Sequence, residues 1–215
     1  MPTTFNPSYS GRIGRSDLVA VTYPVVHDNA DGNNNGFDNE TPSGGPGNQL
    51  FSGEYIIDRS VIHFDTSSLG AGATITAATL RIYVNSKSDA DNDGISVVNS
   101  QIASNTAIVN ADFDQVGDAV TTPTKFASDI DLGSITTGAY NEFALNAAGL
   151  AAISKTGITK LGLRTVNDCA ETTPTGRSFI NIDGNGGTNE PELVVTFTPG
   201  AGAGRANSNL LLMGV

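Results

Sequence analysis

Side chains suited to bond-breaking chemistry are scarce in this sequence: two histidines, His27 and His63, and one cysteine, Cys169. His63 and Asp65 share a strand face by parity, so a dyad can be drawn. Neither a Gly-x-Ser-x-Gly elbow nor a third orienting group accompanies it. The spacing gives His63 a structural place. A lone cysteine beside a strand end is generally a small buried residue rather than a nucleophile, and it permits no intramolecular disulfide. Spacing leaves the paired carboxylates of a glycosidase open, because the acids lie in separated loops, but nothing marks a raised-pKa acid in an apolar pocket. The expectation is no catalytic residue and no enzyme.

Cation chemistry has a better sequence signal. In DADNDG (89–94), Asp89, Asp91 and Asp93 stand at i, i+2 and i+4 with Gly94 at the turn, the opening of a calcium loop. Ser100 occupies the twelfth position, where such a loop closes with a bidentate glutamate, so this is not an EF-hand. Looser oxygen-rich sites can be drawn from Asp28, Asp31, Asp38 and Glu40, or from Asp183 and Glu190. Two readings stay open, a structural calcium or solvated acidic turns. No cofactor is required. Sugar platforms rely on exposed aromatic rings; the chain has no tryptophan, which leaves Tyr23, Tyr55, Tyr83 and Tyr140. The glycan-binding residues are not specified.

The formal net charge of −11 repels nucleic acid and anionic lipid, so neither is an expected partner. No apolar run approaches the ~20 residues of a membrane span. The start MPTTFNPSYSGRIGRS has no apolar run behind a basic segment and reads as non-secretory. Synthesis in a cytoplasm, with the finished protein in a virion or at an extracellular surface, is the expectation.

The elements that must position these groups are short strands. Glycine, at 25 copies, together with Asn, Thr and Ser favours turns over helices. Residues 1–17 read as an extended N-terminal arm and LVAVTYPVV (18–26) as the first strand, with Pro24 demoting its end to an edge or bulge. A long polar loop covers 27–49. EYIIDRSVIHFD (54–65) carries Ile57, Arg59, Val61 and His63 on one face and Ile62 and Phe64 on the other. TITAATLRIYVNS (74–86) alternates Leu80, Ile82 and Val84 against Arg81, Tyr83 and Asn85, the period of a half-buried strand. ISVVNSQIA (95–103), NEFALN (141–146), ITKLGLRT (158–165), RSFINI (177–182) and ELVVTFT (192–198) follow, with short pieces near 125–126 and 130–132. Asn146 can cap a short helix that sets Leu150 and Ile153 on one face. The sum is an all-β antiparallel sandwich of about nine strands over 18–199, with one short helix and extended N- and C-terminal arms. Residues 200–215 form a Gly/Ala linker and a tail in which Leu210, Leu211, Leu212 and Met213 are consecutive apolar residues. Such a strand on a flexible leash suits docking to a partner's sheet edge.

Four segments carry a family resemblance: GRIGRS (11–16), RSVIHFDTSSLGAGATITAATLRIYV (59–84), NTAIVNADFDQVG (105–117), and NEFALNAAGLAAISKTGITKLGLRT with PELVVTFT (141–165, 191–198). Together they resemble DNRLRE-type jelly-roll domains, which are related to carbohydrate-binding modules, in the long form common in phage-like and environmental bacterial proteins. The resemblance spans about 190 residues and implies a jelly roll. It also implies a place in adhesins, cell-surface proteins or virions. The expected function is a non-enzymatic structural or surface-display protein of a virion or extracellular filament. Its expected partners are capsid, tail or filament subunits, or further copies of itself. The alternative is a module that binds a cell-surface glycan.

Overall fold

The computed structural model describes residues 2–33 and 44–200. Among these residues eleven strands form one antiparallel, unclosed network: β1 (Pro2–Phe5), β2 (Pro7–Leu18), β3 (Gly47–Phe51), β4 (Glu54–Asp65), β5 (Thr74–Asp89), β6 (Gly94–Asn99), β7 (Ile130–Asp131), β8 (Ala139–Ala144), β9 (Ile158–Thr165), β10 (Arg177–Ile182) and β11 (Glu192–Thr198). Among the described residues the helices are short: α1 (Tyr23–His27), α2 (Ala147–Ala152) and α3 (Val166–Cys169), with 3₁₀ turns between strands. None is long and apolar enough to cross a membrane.

Two long strands organise the layers. β5 pairs with β11 and then β10 along one edge and with β8 along the other. β4 pairs with β2 along one edge, and with β3 and then β9 along the other; β6 continues the layer beyond β9. The β3–β10 pair joins the two layers. Between them lies an apolar core: Leu80, Ile82 and Val84 of β5 and Leu193 and Val195 of β11 on one side, Ile62, Phe64, Leu161, Leu163, Ile95 and Val97 on the other. This is the antiparallel β-sandwich read from the alternation. Asn146 caps α2, its side chain accepting from Gly149 N, and α2 packs Leu150 against the core while Ile153 closes its end.

The opposite face of the β4–β9 layer is also buried. Tyr9, Ile13, Ile57, Val61 and Val98 meet Tyr23 and Val26 of α1, Cys169 of α3, and Ile102, Ile108, Phe113 and Val116 from the segment after β6. β4 is therefore covered on both faces, and residues 57–64 are all buried, Asp58, Arg59, Ser60 and His63 among them.

Three local readings change. Residues 2–17, expected as an arm, are extended but not free. β1 pairs with β11, and β2 runs eleven pairs along β4. The sandwich thus begins at Pro2. Segment 18–26 is not a strand: β2 ends at Leu18 and Tyr23–His27 is helical. Pro24 explains this, since it lies in the first helical turn, where its missing N–H leaves no hydrogen bond unmade. β3 emerges from the end of the expected 27–49 loop. The turn before β5 takes its positive φ at Gly70 (80°), whereas Gly72 is needed for closeness, because a Cβ there would stand 3.0 Å from the Cα of Gly200.

Candidate functional site

The outer core contains a polar centre built from strand residues that had to be buried. Arg59 of β4 and Arg164 of β9 project from the face opposite the sandwich core, and both are fully buried. Their common partner is Asp168 in α3, which Thr165 caps by accepting from Asp168 N. Arg59 grips that carboxylate twice, Nε to Oδ2 at 3.0 Å and Nη2 to Oδ1 at 2.9 Å, while Arg164 Nε donates to Oδ2 at 2.6 Å. The remaining guanidinium hydrogens go to backbone carbonyls of the covering segments: Phe113 from Arg59, and Ala119 and Val120 from Arg164. The Arg59 guanidinium also lies 4.1 Å over the Phe113 ring. Burial opposes ionisation of Asp168, but Arg164 and Arg59 outweigh it and hold the carboxyl far below the usual carboxylate range. This centre ties α1, α3 and the 100–124 segment to the sheet.

Around it, Tyr23 donates to Asn48 Oδ1 at 2.9 Å, and Asn48 Nδ2 donates to the Thr172 carbonyl. Burial pushes the Tyr23 hydroxyl up. Burial likewise pushes the Cys169 thiol up to about 11, which disfavours the nucleophilic thiolate. His27 is fully enclosed, with Nε2 2.7 Å from the Asp168 carbonyl and Nδ1 2.7 Å from Asp28 Oδ1. His63 does not form a dyad with Asp65. Its ring is buried against Tyr9 with Nδ1 at 3.3 Å from the Asn105 carbonyl, whereas Asp65 is exposed and accepts from Ser67 N. Burial lowers His63 to about 4.

In the acidic turn 89–94 each of the three carboxylates accepts backbone amides. Asp89 Oδ1 accepts from Asp93 N within the turn, at 2.9 Å. Asp91 turns to the neighbouring loop, accepting from the Thr175 and Gly176 amides and the Thr175 hydroxyl. Asp93 is buried and accepts from Gly94 N (2.7 Å) and Asn167 N (2.9 Å), so it caps the start of α3; burial pushes it up to about 6. Three carboxylates serve three sets of backbone amides and do not gather round one point. Asp183 and Glu190 also serve separate groups, Asp183 holding Asn85 and the Asn189 amide, and Glu190 the Gly186 amide. Asp38, Glu40 and the tail residues Leu210, Leu211, Leu212 and Met213 lie outside the described residues. Among the described residues, one group of three brings metal-ligand atoms together: His27, Asp28 and Glu171, within 4.8 Å of one another.

No family model matches this chain, and no curated protein matches it.

The tyrosines separate into two sets. Tyr23 is buried and Tyr55 packs edge-on against it, 5.4 Å between centroids. Tyr83 and Tyr140 are half-buried on the outer face of β5 and β8, edge-to-face at 5.4 Å, with Arg81 4.6 Å over Tyr140 and bridged to Glu142 and Glu192. A depression of about 400 Å³ lies beside them, lined by Pro2, Thr4, Thr79, Arg81, Glu142 and Val194.

In sequence Arg59 shares a strand face with Ile57 and Val61. A guanidinium among apolar strand residues demands an anion, and that signal pointed to an unfound acid. Glu171 carried no such signal, because only the folded chain brings it to His27.

Proposed function

We propose that the chain is a non-enzymatic structural or surface-display protein of a virion or extracellular filament, assembling with capsid, tail or filament subunits or with further copies of itself. The observation that carries the reading is an exposed apolar end of the sheet. Leu18 and Phe51 stand on either side of Glu54 in register, and Val19 follows, its amide bonded to the Gly53 carbonyl. These three side chains are 62%, 47% and 48% exposed. Single exposed apolar residues are ordinary, whereas neighbours grouped at one end mark an interaction surface. Covering them would contribute about 1.5–3 kcal/mol per large side chain before ordering costs. Support also comes from the buried charges, which are spent on holding the fold.

Light scattering on the 215-residue chain, a version ending at Pro199, and a Leu18→Ser/Phe51→Ser variant tests the reading. Association of the parent that either change abolishes, with circular dichroism unchanged, is the expected result. Identical monomers in all three, with and without a filament or capsid fraction, would contradict it.

A second reading, glycan binding, has one observation in its favour, the Tyr83–Tyr140–Arg81 shelf beside its depression. It requires glycan-induced NMR shifts at Tyr83 and Tyr140 that Tyr140→Ala removes. Shifts absent across neutral and acidic glycans would dismiss it.

A further inference from the structure

The two ends of the sandwich differ in a way that bears on the tail. At one end Thr198 of β11 stands opposite Thr74 of β5, and Gly200 packs on Gly72, in the turn that joins β4 to β5. A Cβ on Gly200 would stand 2.5 Å from the Gly72 Cα, so the two backbones touch with no room for a side chain there. The chain after Gly200 therefore starts from this turn. The exposed apolar group lies at the other end. Leu18 and Phe51 pair with Glu54, the first residue of β4, so these three side chains share a face, and Val19 follows. The Arg177 guanidinium, 4.3 Å over the Phe51 ring, holds one wall of this surface in place.

Reach decides between the molecule's own tail and another's. β4 spans 12 residues, about 36 Å at the strand rise, and β5 spans 16, about 50 Å. Through β10, Asp89 at the end of β5 stands level with Asn48, still short of Phe51. Residues 201–210 cover at most about 36 Å when fully extended. A tail folded back on its own molecule would need every residue stretched straight along the surface to bring Leu210 to Leu18 or Phe51. A second copy, placed with its Glu54 end at the Gly72 turn of the first, meets the tail without that stretch. Charge favours the same partner. The formal net charge of −11 sets copies repelling one another, whereas residues 200–215 hold Arg205 and no acidic side chain. Glu54 places a carboxylate between Leu18 and Phe51, so a basic residue ahead of four apolar ones matches the surface in both respects.

We propose that Leu210–Met213 of one copy cover Leu18, Val19 and Phe51 of the next. The inference rests on the assembly reading above and names the partner within it. Each copy gives a tail at one end and receives one at the other, a heterologous head-to-tail contact that propagates into linear chains.

Two full-length variants test it by sedimentation velocity: Leu210→Ser/Leu212→Ser, which spoils the tail, and Leu18→Ser/Phe51→Ser, which spoils the surface. The parent should form species that lengthen with concentration. Each variant alone should self-associate at least tenfold more weakly, with circular dichroism unchanged. Mixed, the two should recover a single contact, intact tail on intact surface, and stop at a one-to-one pair. A peptide of residues 205–215 added to the tail variant should shift the Val19 amide resonance, a readout that needs no surface substitution. No shift at millimolar peptide, no pair on mixing, or association that survives in the tail variant alone would overturn the proposal. A parent that is monomeric alone yet joins a filament or capsid fraction would overturn it and leave the assembly reading standing. A parent monomeric in both settings would remove that reading as well.

Discussion

The two faces of the β4–β9 layer are both buried, yet they are held by different physics. The inner face meets the β5–β11 layer mainly through aliphatic and aromatic side chains, Ile62, Phe64, Leu161 and Leu163 against Leu80, Ile82 and Leu193. The outer face meets short helices and irregular segments, and at its centre Arg59, Arg164 and Asp168 replace hydrocarbon. Strands satisfy their own backbone in ladders, so a sheet-on-sheet interface needs only shape and apolar area. Irregular segments carry unpaired carbonyls, and a buried guanidinium supplies donors to several at once. The outer face is thus polar because of what covers it.

The largest expected effect breaks that polar centre. Asp168→Asn leaves two buried guanidiniums without their anion and should cost about 3–5 kcal/mol in urea unfolding. Replacing Arg59, Arg164 and Asp168 together with apolar residues of similar volume should cost far less, which would show that the pairing matters more than the charges. Next comes the inner face: Leu161→Ala should cost about 2–5 kcal/mol through lost burial and an unfilled cavity, with the outer segments keeping their packing. Gly162, on the outer face of the same strand, gives a smaller and opposite perturbation. A Cβ there would meet Val116 Cγ1 at 2.7 Å and the Asn99 carbonyl at 2.8 Å, so Gly162→Ala should cost about 1–3 kcal/mol by overpacking.

The smallest effect is in the pH profile, where groups oppose one another. His63, lowered by burial from 6.5 to about 4, contributes stability that is complete above pH 6.5 and is lost as pH falls towards 4. Asp58 and Asp93, raised by burial from 3.8 to about 6, contribute stability that is complete below pH 3.8 and is lost as pH rises through 6. Two aspartates outweigh one histidine, so the parent should grow more stable as pH falls from 6.5 to 4, and His63→Gln should gain more than the parent. Urea midpoints across that window read the difference, and parallel profiles would refute it.

The inner face was legible in sequence because period-two alternation marks it directly: Leu80, Ile82 and Val84, and Leu193 and Val195, occupy the expected side. Asn146 was legible as a cap for the same reason, a local rule acting on local residues. β2 was not, since PSYSGRIGRSDL has few apolar residues and owes its extended form to its ladder with β4. The Asp89, Asp91 and Asp93 spacing suggested a cation, and the neighbouring loop and α3 also direct amides at the Asp91 and Asp93 carboxylates. Those amides are invisible to spacing, because they come from residues about 75–85 positions away.

Native-state hydrogen exchange on Asp168→Asn against the parent tests the division between the two faces most directly. Amides in α1, α3 and the 100–124 segment should lose protection in the variant, while those of β5 and β11 keep the protection set by global unfolding. Equal loss in both groups would mean that a single cooperative core holds the whole sheet, and the distinction between its faces would fall.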